Sequence, residues 1–189
     1  IMINGQPVIC GCYLLRIQVF EPIAVRFGRY QGGQAVDVTA GTYLYIGSAM
    51  GKKGASTLAR RLLRHATRHN GTPHVIRSLL LEKLRAAELG TTRLQAPIRK
   101  TLFWHIDYLL EETAVELTHI IILRTKSPME NLLAQVLAAD PKTAPLINGL
   151  GASDDPGQTH LLRVPNTLSW WQAQADLLAS IDHLPINEK

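Results

Sequence analysis

The sequence predicts a mixed α/β domain of the α+β type: a small, mainly antiparallel β-sheet flanked by helices. Three observations carry this. The first quarter is a series of apolar, β-branched and aromatic runs divided by glycine turns, which reads as a β-meander. Residues 57–69 then switch to a helical period with one apolar and one basic face. Beyond residue 100, strand-like and helix-like stretches alternate.

Taken in order, residues 8–19 (VICGCYLLRIQV) read as a buried strand. Residues 23–29 and 35–39 flank the turn signal Gln31-Gly32-Gly33 and read as a hairpin. Residues 42–47 (TYLYIG) are a second strong strand. After a small-residue and lysine loop, Ser56 is the expected N-cap of a helix over 57–69, with Leu58, Leu62, Leu63 and Ala66 on its core stripe. Asn70-Gly71 stops it. Residues 73–89 carry a further helical pattern, with Val75, Leu79, Leu80 and Leu84 spaced for a core face. A basic connection, 90–100, precedes FWHIDYLL at 103–110, and 115–123 is an apolar strand. Ser127, Pro128 and Glu130 form the pattern of a capping box opening a helix to about residue 139. A glycine-rich turn over 148–157 leads to a short apolar segment, 160–164, and a terminal helix spans about 167–182. The tryptophan pair Trp170-Trp171 is assigned to core packing of that helix. One domain is expected over 1–165, with a helical insertion near 72–100 and residues 166–189 packed on it.

Composition narrows the function classes. A chain of 189 residues with 46% hydrophobic and 19% charged residues can bury a core without disulfides or a structural metal. The two cysteines, Cys10 and Cys12, lie two apart in an apolar run. They read as core residues and give no disulfide framework, so a reducing, cytoplasmic setting is expected. No apolar run approaches the roughly 20 residues that cross a bilayer, and residues 1–7 lack the form of a signal peptide. The net charge of +5 favours an acidic partner, nucleic acid above all. The charge is clustered: Lys52 and Lys53, then Arg60, Arg61, Arg64 and Arg68, and again residues 93–100. Lys52, Lys53, Arg64 and Arg68 are the expected phosphate-contacting footprint, which positions a nucleic acid without reading its sequence.

Three pieces lie in a suggestive order. Gly11-Cys12-Tyr13 sits in one strand, Tyr45-Ile46-Gly47 ends another, and a helix with Arg61 and His65 follows. This resembles the GIY-YIG nuclease superfamily, with Cys12 in place of the central isoleucine of the first motif. The runs YLYIGSA, RLLRH, WHIDYLL and GLGASD resemble, in sequence order, an uncharacterised GIY-YIG-related branch sometimes fused to endonuclease III modules. That resemblance spans about residues 9–165. There are departures: the branch's cysteines after its SD are replaced by Asp154-Asp155-Pro156-Gly157, and its second acidic residue, two beyond the position of Glu130, is Leu132.

The resemblance implies a metal-dependent endonuclease acting on DNA, with a role in DNA repair and with RNA left open as a substrate. It implies one divalent ion, Mg²⁺ or Mn²⁺, held by Glu130. One carboxylate plus waters and substrate phosphate suffices for Mg²⁺, although the capping box alone also accounts for Glu130. Tyr13 and Tyr45 match the motif tyrosines. A phenol can hold or deprotonate water if a metal and nearby cations lower its pKa; otherwise both are strand aromatics. Arg61 matches the helix arginine that grips phosphate. His65, one turn on, could orient water or protonate the leaving oxygen, or lie on a solvated face. His105 and Asp107 read first as a structural pair fixing the insertion against the sheet. Ser153-Asp154, with His160 following, reads as a turn or a substrate-facing loop. The competing function is a nucleic-acid-binding or repair-accessory module without cleavage, with a repair protein as partner.

Overall fold

The computed structural model describes residues 1–91, 93–150 and 159–181. The Ser153-Asp154 turn and the residues after it to Gln158 lie outside the described residues. Strand β1 is Met2–Gly5, β2 is Gly11–Val19, and β3 (Ile23–Arg26) with β4 (Ala35–Val38) forms a separate hairpin. β5 is Gly41–Ala49, followed by helices α1 (Leu58–His65), α2 (Ile76–Ala86) and the short α3 (His105–Leu109). Then come β6 (Val115–Arg124), α4 (Glu130–Ala138), β7 (Ala144–Pro145), β8 (Leu161–Val164) and α5 (Leu168–Ile181). The main sheet has six strands in the order β1-β6-β2-β5-β8-β7. Every neighbour pair is antiparallel except β1 with β6. The expected α/β architecture, a mostly antiparallel sheet flanked by helices, is what the chain adopts.

The central strands are apolar throughout because both faces of the sheet are covered. Side chains of a strand alternate between faces. Tyr13, Leu15, Ile17, Tyr43 and Tyr45 share one core with Leu58, Leu62 and Leu63 of α1, Leu80 and Leu84 of α2, Ile106 and Leu109 of α3, and the β3–β4 hairpin. Cys12, Leu14, Leu44, Ile46, Ile121 and Leu123 face the other way, onto Leu133 and Leu137 of α4 and Trp170, Trp171 and Leu178 of α5. The tryptophan pair is therefore core, and both cysteines are buried and free. Among the described residues no helix is long and apolar enough to cross a membrane.

Local expectations fail in three places. Val75 is 87% exposed and Leu79 is also exposed, so only Leu80 and Leu84 of the expected α2 stripe face the core. α1 is capped at Thr57 rather than Ser56, whose hydroxyl bonds the Lys53 carbonyl instead. The capping box at Ser127 does not form. α4 starts at Glu130 after Met129, without a side-chain cap, because the Glu130 carboxylate is engaged across the sheet end, where charge-assisted bonds outweigh a local cap.

Candidate active site

The register of β2 on β5 pairs Tyr13 with Gly47 and Leu15 with Tyr45. Tyr13 and Tyr45 thus point to the same face, with ring centroids 6.4 Å apart. Gly47 is a steric requirement: a Cβ there would lie 2.6 Å from the Tyr13 ring and hydroxyl. Gly11 has φ +153°, and a Cβ on it would fall 2.0 Å from the Leu123 carbonyl oxygen. The glycines of the two motifs therefore clear space for a ring and for a neighbouring strand.

α1 lays His65 beneath these rings, at centroid distances of 5.6 Å from Tyr13 and 6.0 Å from Tyr45. Tyr13 Oη and His65 Nε2 are 2.8 Å apart. Burial, and then the charges of Lys100, Arg64 and Arg61, hold the imidazole well below its ordinary pKa. Burial likewise drives Tyr13 well above 10, and raises Tyr45, with Arg61 pulling both down by less. Both groups are therefore neutral, and the bond between Tyr13 Oη and His65 Nε2 is one between a phenol and a neutral imidazole. The protein's own cations do not lower either phenol, because desolvation outweighs them.

The Nδ1 side of His65 faces Asp107, 3.8 Å away. Asp107 has no exposed side-chain surface. It receives two bonds from Arg64, at 2.9 and 2.8 Å, and the backbone N–H groups of Phe103 and Trp104. Lys100 Nζ, also buried, is 3.9 Å from it. Burial, only partly offset by Asp107 and Glu111, brings Lys100 down to about 8. Asp107 thus caps α3 and anchors a buried basic cluster next to His65.

A second group assembles at the end of β5. Ser48 follows Leu44 and Ile46 on the opposite face, and its hydroxyl donates to Glu130 Oε2. Arg61 reaches round to donate to the Ser48 carbonyl at 2.6 Å, its guanidinium 4.4 Å from the Trp104 ring centroid. Arg64 stacks on the same ring at 4.4 Å. The other Glu130 oxygen, Oε1, lies 3.0 Å from Nδ1 of the buried His160. Burial alone would raise Glu130, but His160, Ser48 and the charge of Arg61 outweigh it and hold the carboxyl below its usual range. The charge of Glu130 acts on both Tyr13 and Tyr45. Tyr13, Tyr45, Arg61, His65 and Glu130, drawn from β2, β5, α1 and α4, therefore lie in one neighbourhood.

The basic footprint divides. Lys52 and Lys53 are exposed. Arg64 is committed to Asp107 and to the Thr101 carbonyl, with 15% of its side chain exposed. Arg68 is not available as a phosphate contact. Its guanidinium is spent on the carbonyls of Leu110, Thr72, Glu112 and Val115, and is 9% exposed. His105 packs its ring on Tyr30, at 5.3 Å. Ser48 and Trp104 lie within the runs YLYIGSA and WHIDYLL but were not singled out, Lys100 had only a basic stretch to mark it, and His160 could be singled out only as a histidine after a turn.

A divalent ion fits this site in part. Among the described residues no group of three or more His, Cys, Asp or Glu side chains could hold one. Glu130 Oε1, however, is not bonded by Ser48 and faces the buried His160 ring, and a carboxylate with one oxygen fixed in this way suits a hard cation.

The chain matches, over residues 12–182, the family described as a domain of unknown function, DUF123, and it belongs to that family. No curated protein matches it. No solved structure matches it either.

Proposed function

We propose that this domain is a metal-dependent endonuclease of the GIY-YIG type that hydrolyses phosphodiester bonds of DNA. The observation that carries the reading is the meeting of Tyr13, Tyr45, Arg61, His65 and Glu130, spread over more than a hundred residues of sequence, around the end of β5. Arg61 is placed to neutralise charge developing on a phosphate. Glu130 would hold Mg²⁺ or Mn²⁺, which when bound polarises a phosphate oxygen and acidifies water. Tyr13 works without becoming a free phenolate. Its oxygen takes the proton of the attacking water as its own proton passes to His65 Nε2, so the charge that results lies on the His65 ring, where Asp107 beside Nδ1 steadies it. Lys52 and Lys53 supply exposed phosphate contacts.

One observation favours a second reading, a nucleic-acid-binding module without cleavage: Tyr13 and His65 are each 1% exposed and Tyr45 6%. A nicking assay separates the two. Supercoiled plasmid and labelled branched DNAs, with Mg²⁺ or Mn²⁺, are cut by the wild type and not by Arg61→Ala or Glu130→Ala, while Glu130→Ala still binds DNA. Binding without nicking in every metal, or nicking equal in the variants, transfers the assignment to the binding module.

A further inference from the structure

We infer that His160 is a second protein ligand, through Nδ1, for the divalent ion at Glu130, making a nitrogen–oxygen site that prefers a first-row transition ion such as Mn²⁺ to Mg²⁺. The inference rests on the metal-dependent reading and goes beyond the single carboxylate that reading requires.

Three features point to it. First, His160 is 3% exposed, and neither ring nitrogen has a hydrogen-bond partner among the described residues. A buried polar ring left in that state calls for an explanation. Secondly, Nδ1 approaches Glu130 Oε1 to 3.0 Å in an ion pair that lies off the line of a well-formed hydrogen bond. An imidazole nitrogen and a carboxylate oxygen so held are spaced to share one cation. The spacing agrees: two adjacent ligands of an octahedral ion at about 2.1 Å lie roughly 3.0 Å apart. Thirdly, Oε1 is the oxygen left over. Ser48 takes Oε2, and Arg61, the nearest competing cation, has an Nη turned to the Ser48 carbonyl.

The fold sets these two side chains together from remote parts of the chain. Glu130 opens α4, and His160 leads into β8, whose ladder against β5 is extended by the bond from Ile46 N–H to the His160 carbonyl. β5 therefore fixes both donors, through Ser48 on one side and Ile46 on the other. Imidazole nitrogen suits transition ions, whereas Mg²⁺ favours oxygen and retains its waters, which is the source of the preference.

The test is metal binding without DNA, so it stands apart from nicking. Mn²⁺ is titrated into the full chain and free Mn²⁺ is read by electron paramagnetic resonance, with Mg²⁺ as competitor. The wild type binds one Mn²⁺ at least about tenfold tighter than Mg²⁺. His160→Gln loses about tenfold or more in Mn²⁺ affinity and little for Mg²⁺, while Glu130→Gln loses both. A readout on the wild type covers the case where His160→Gln does not fold. Substoichiometric Mn²⁺ broadens the ¹⁵N ring signals of His160 ahead of those of every other histidine. Binding at Glu130 that leaves the His160 ring sharp, with equal affinity in His160→Gln, overturns the inference and leaves the nuclease reading intact. No Mn²⁺ binding to the wild type overturns the inference outright, and nicking then decides the nuclease reading by itself.

Discussion

The two halves of the candidate site differ in burial and in construction: Asp107 has no exposed side-chain surface, whereas Glu130 is partly exposed. Around Asp107 the carboxylate itself is fully engaged: Arg64 binds it twice and two backbone N–H groups cap it, while Lys100 Nζ and His65 Nδ1 beside it make no hydrogen bond among the described residues. Around Glu130, Ser48 fixes one carboxylate oxygen, and the other lies 3.0 Å from His160 Nδ1 in an ion pair off the line of a well-formed hydrogen bond. A carboxylate bonded at both oxygens holds geometry, because removing a partner strands a buried charge. One fixed by a hydrogen bond at a single oxygen keeps the other for a further contact.

The largest break should come on the Asp107 side. Asp107→Ala strands Arg64 and Lys100 and removes the cap of α3, and should lower unfolding free energy by about 3–5 kcal/mol in chemical denaturation. A loss under about 1 kcal/mol would show that the cluster is not anchored by Asp107.

Acid tests the same side. The folded pKa of His65 is held well below 6.5 and that of His74 falls to about 4, through burial first and then nearby cations. The unfolded chain therefore binds more protons below pH 6.5. Stability from these groups is full above pH 6.5 and is lost as pH falls towards 4. His74→Gln should flatten the slope of Tm against pH in that window; an unchanged slope would sink the assignment.

Gly47→Ala tests the ring packing that joins the halves. Its Cβ would meet Tyr13 at 2.6 Å, and displacement of the ring should cost about 1–3 kcal/mol and break the Tyr13–His65 bond. The tyrosine hydroxyl and imidazole resonances read this directly. The smallest effect on stability belongs to the exposed lysines. Lys52→Ala with Lys53→Ala should stay within about 0.5 kcal/mol of wild type, yet lower the slope of log affinity for DNA against log salt by about 1 per lysine. An unchanged slope would place the DNA elsewhere.

Much of the fold was legible because β2, β5, β6, α1 and α5 carry their own period over eight or more residues. β1 was not: four residues of strand pair with β6 more than a hundred residues on, and no local pattern encodes that partner. Val75 and Leu79 show the converse limit, since a helical stripe says which residues share a face and not whether a neighbour covers it. In the site, the motif spacing of Tyr13, Tyr45, Arg61 and His65 gave the positions, while the fate of each was hidden. Arg64 and Arg68 look alike on the helix, and both are consumed by partners 37 to 47 residues away.

What the sequence determined by itself is the order of the longer strands and helices and the basic face of α1, because periodicity and turn chemistry act over a few residues; the two tyrosine motifs were marked by resemblance. What only the tertiary structure decided is which charges remain available and which polar atoms stand unpartnered. Burial and pairing depend on chain segments that meet only when the sheet closes β2 between β5 and β6 and brings Glu130 and His160 to its end.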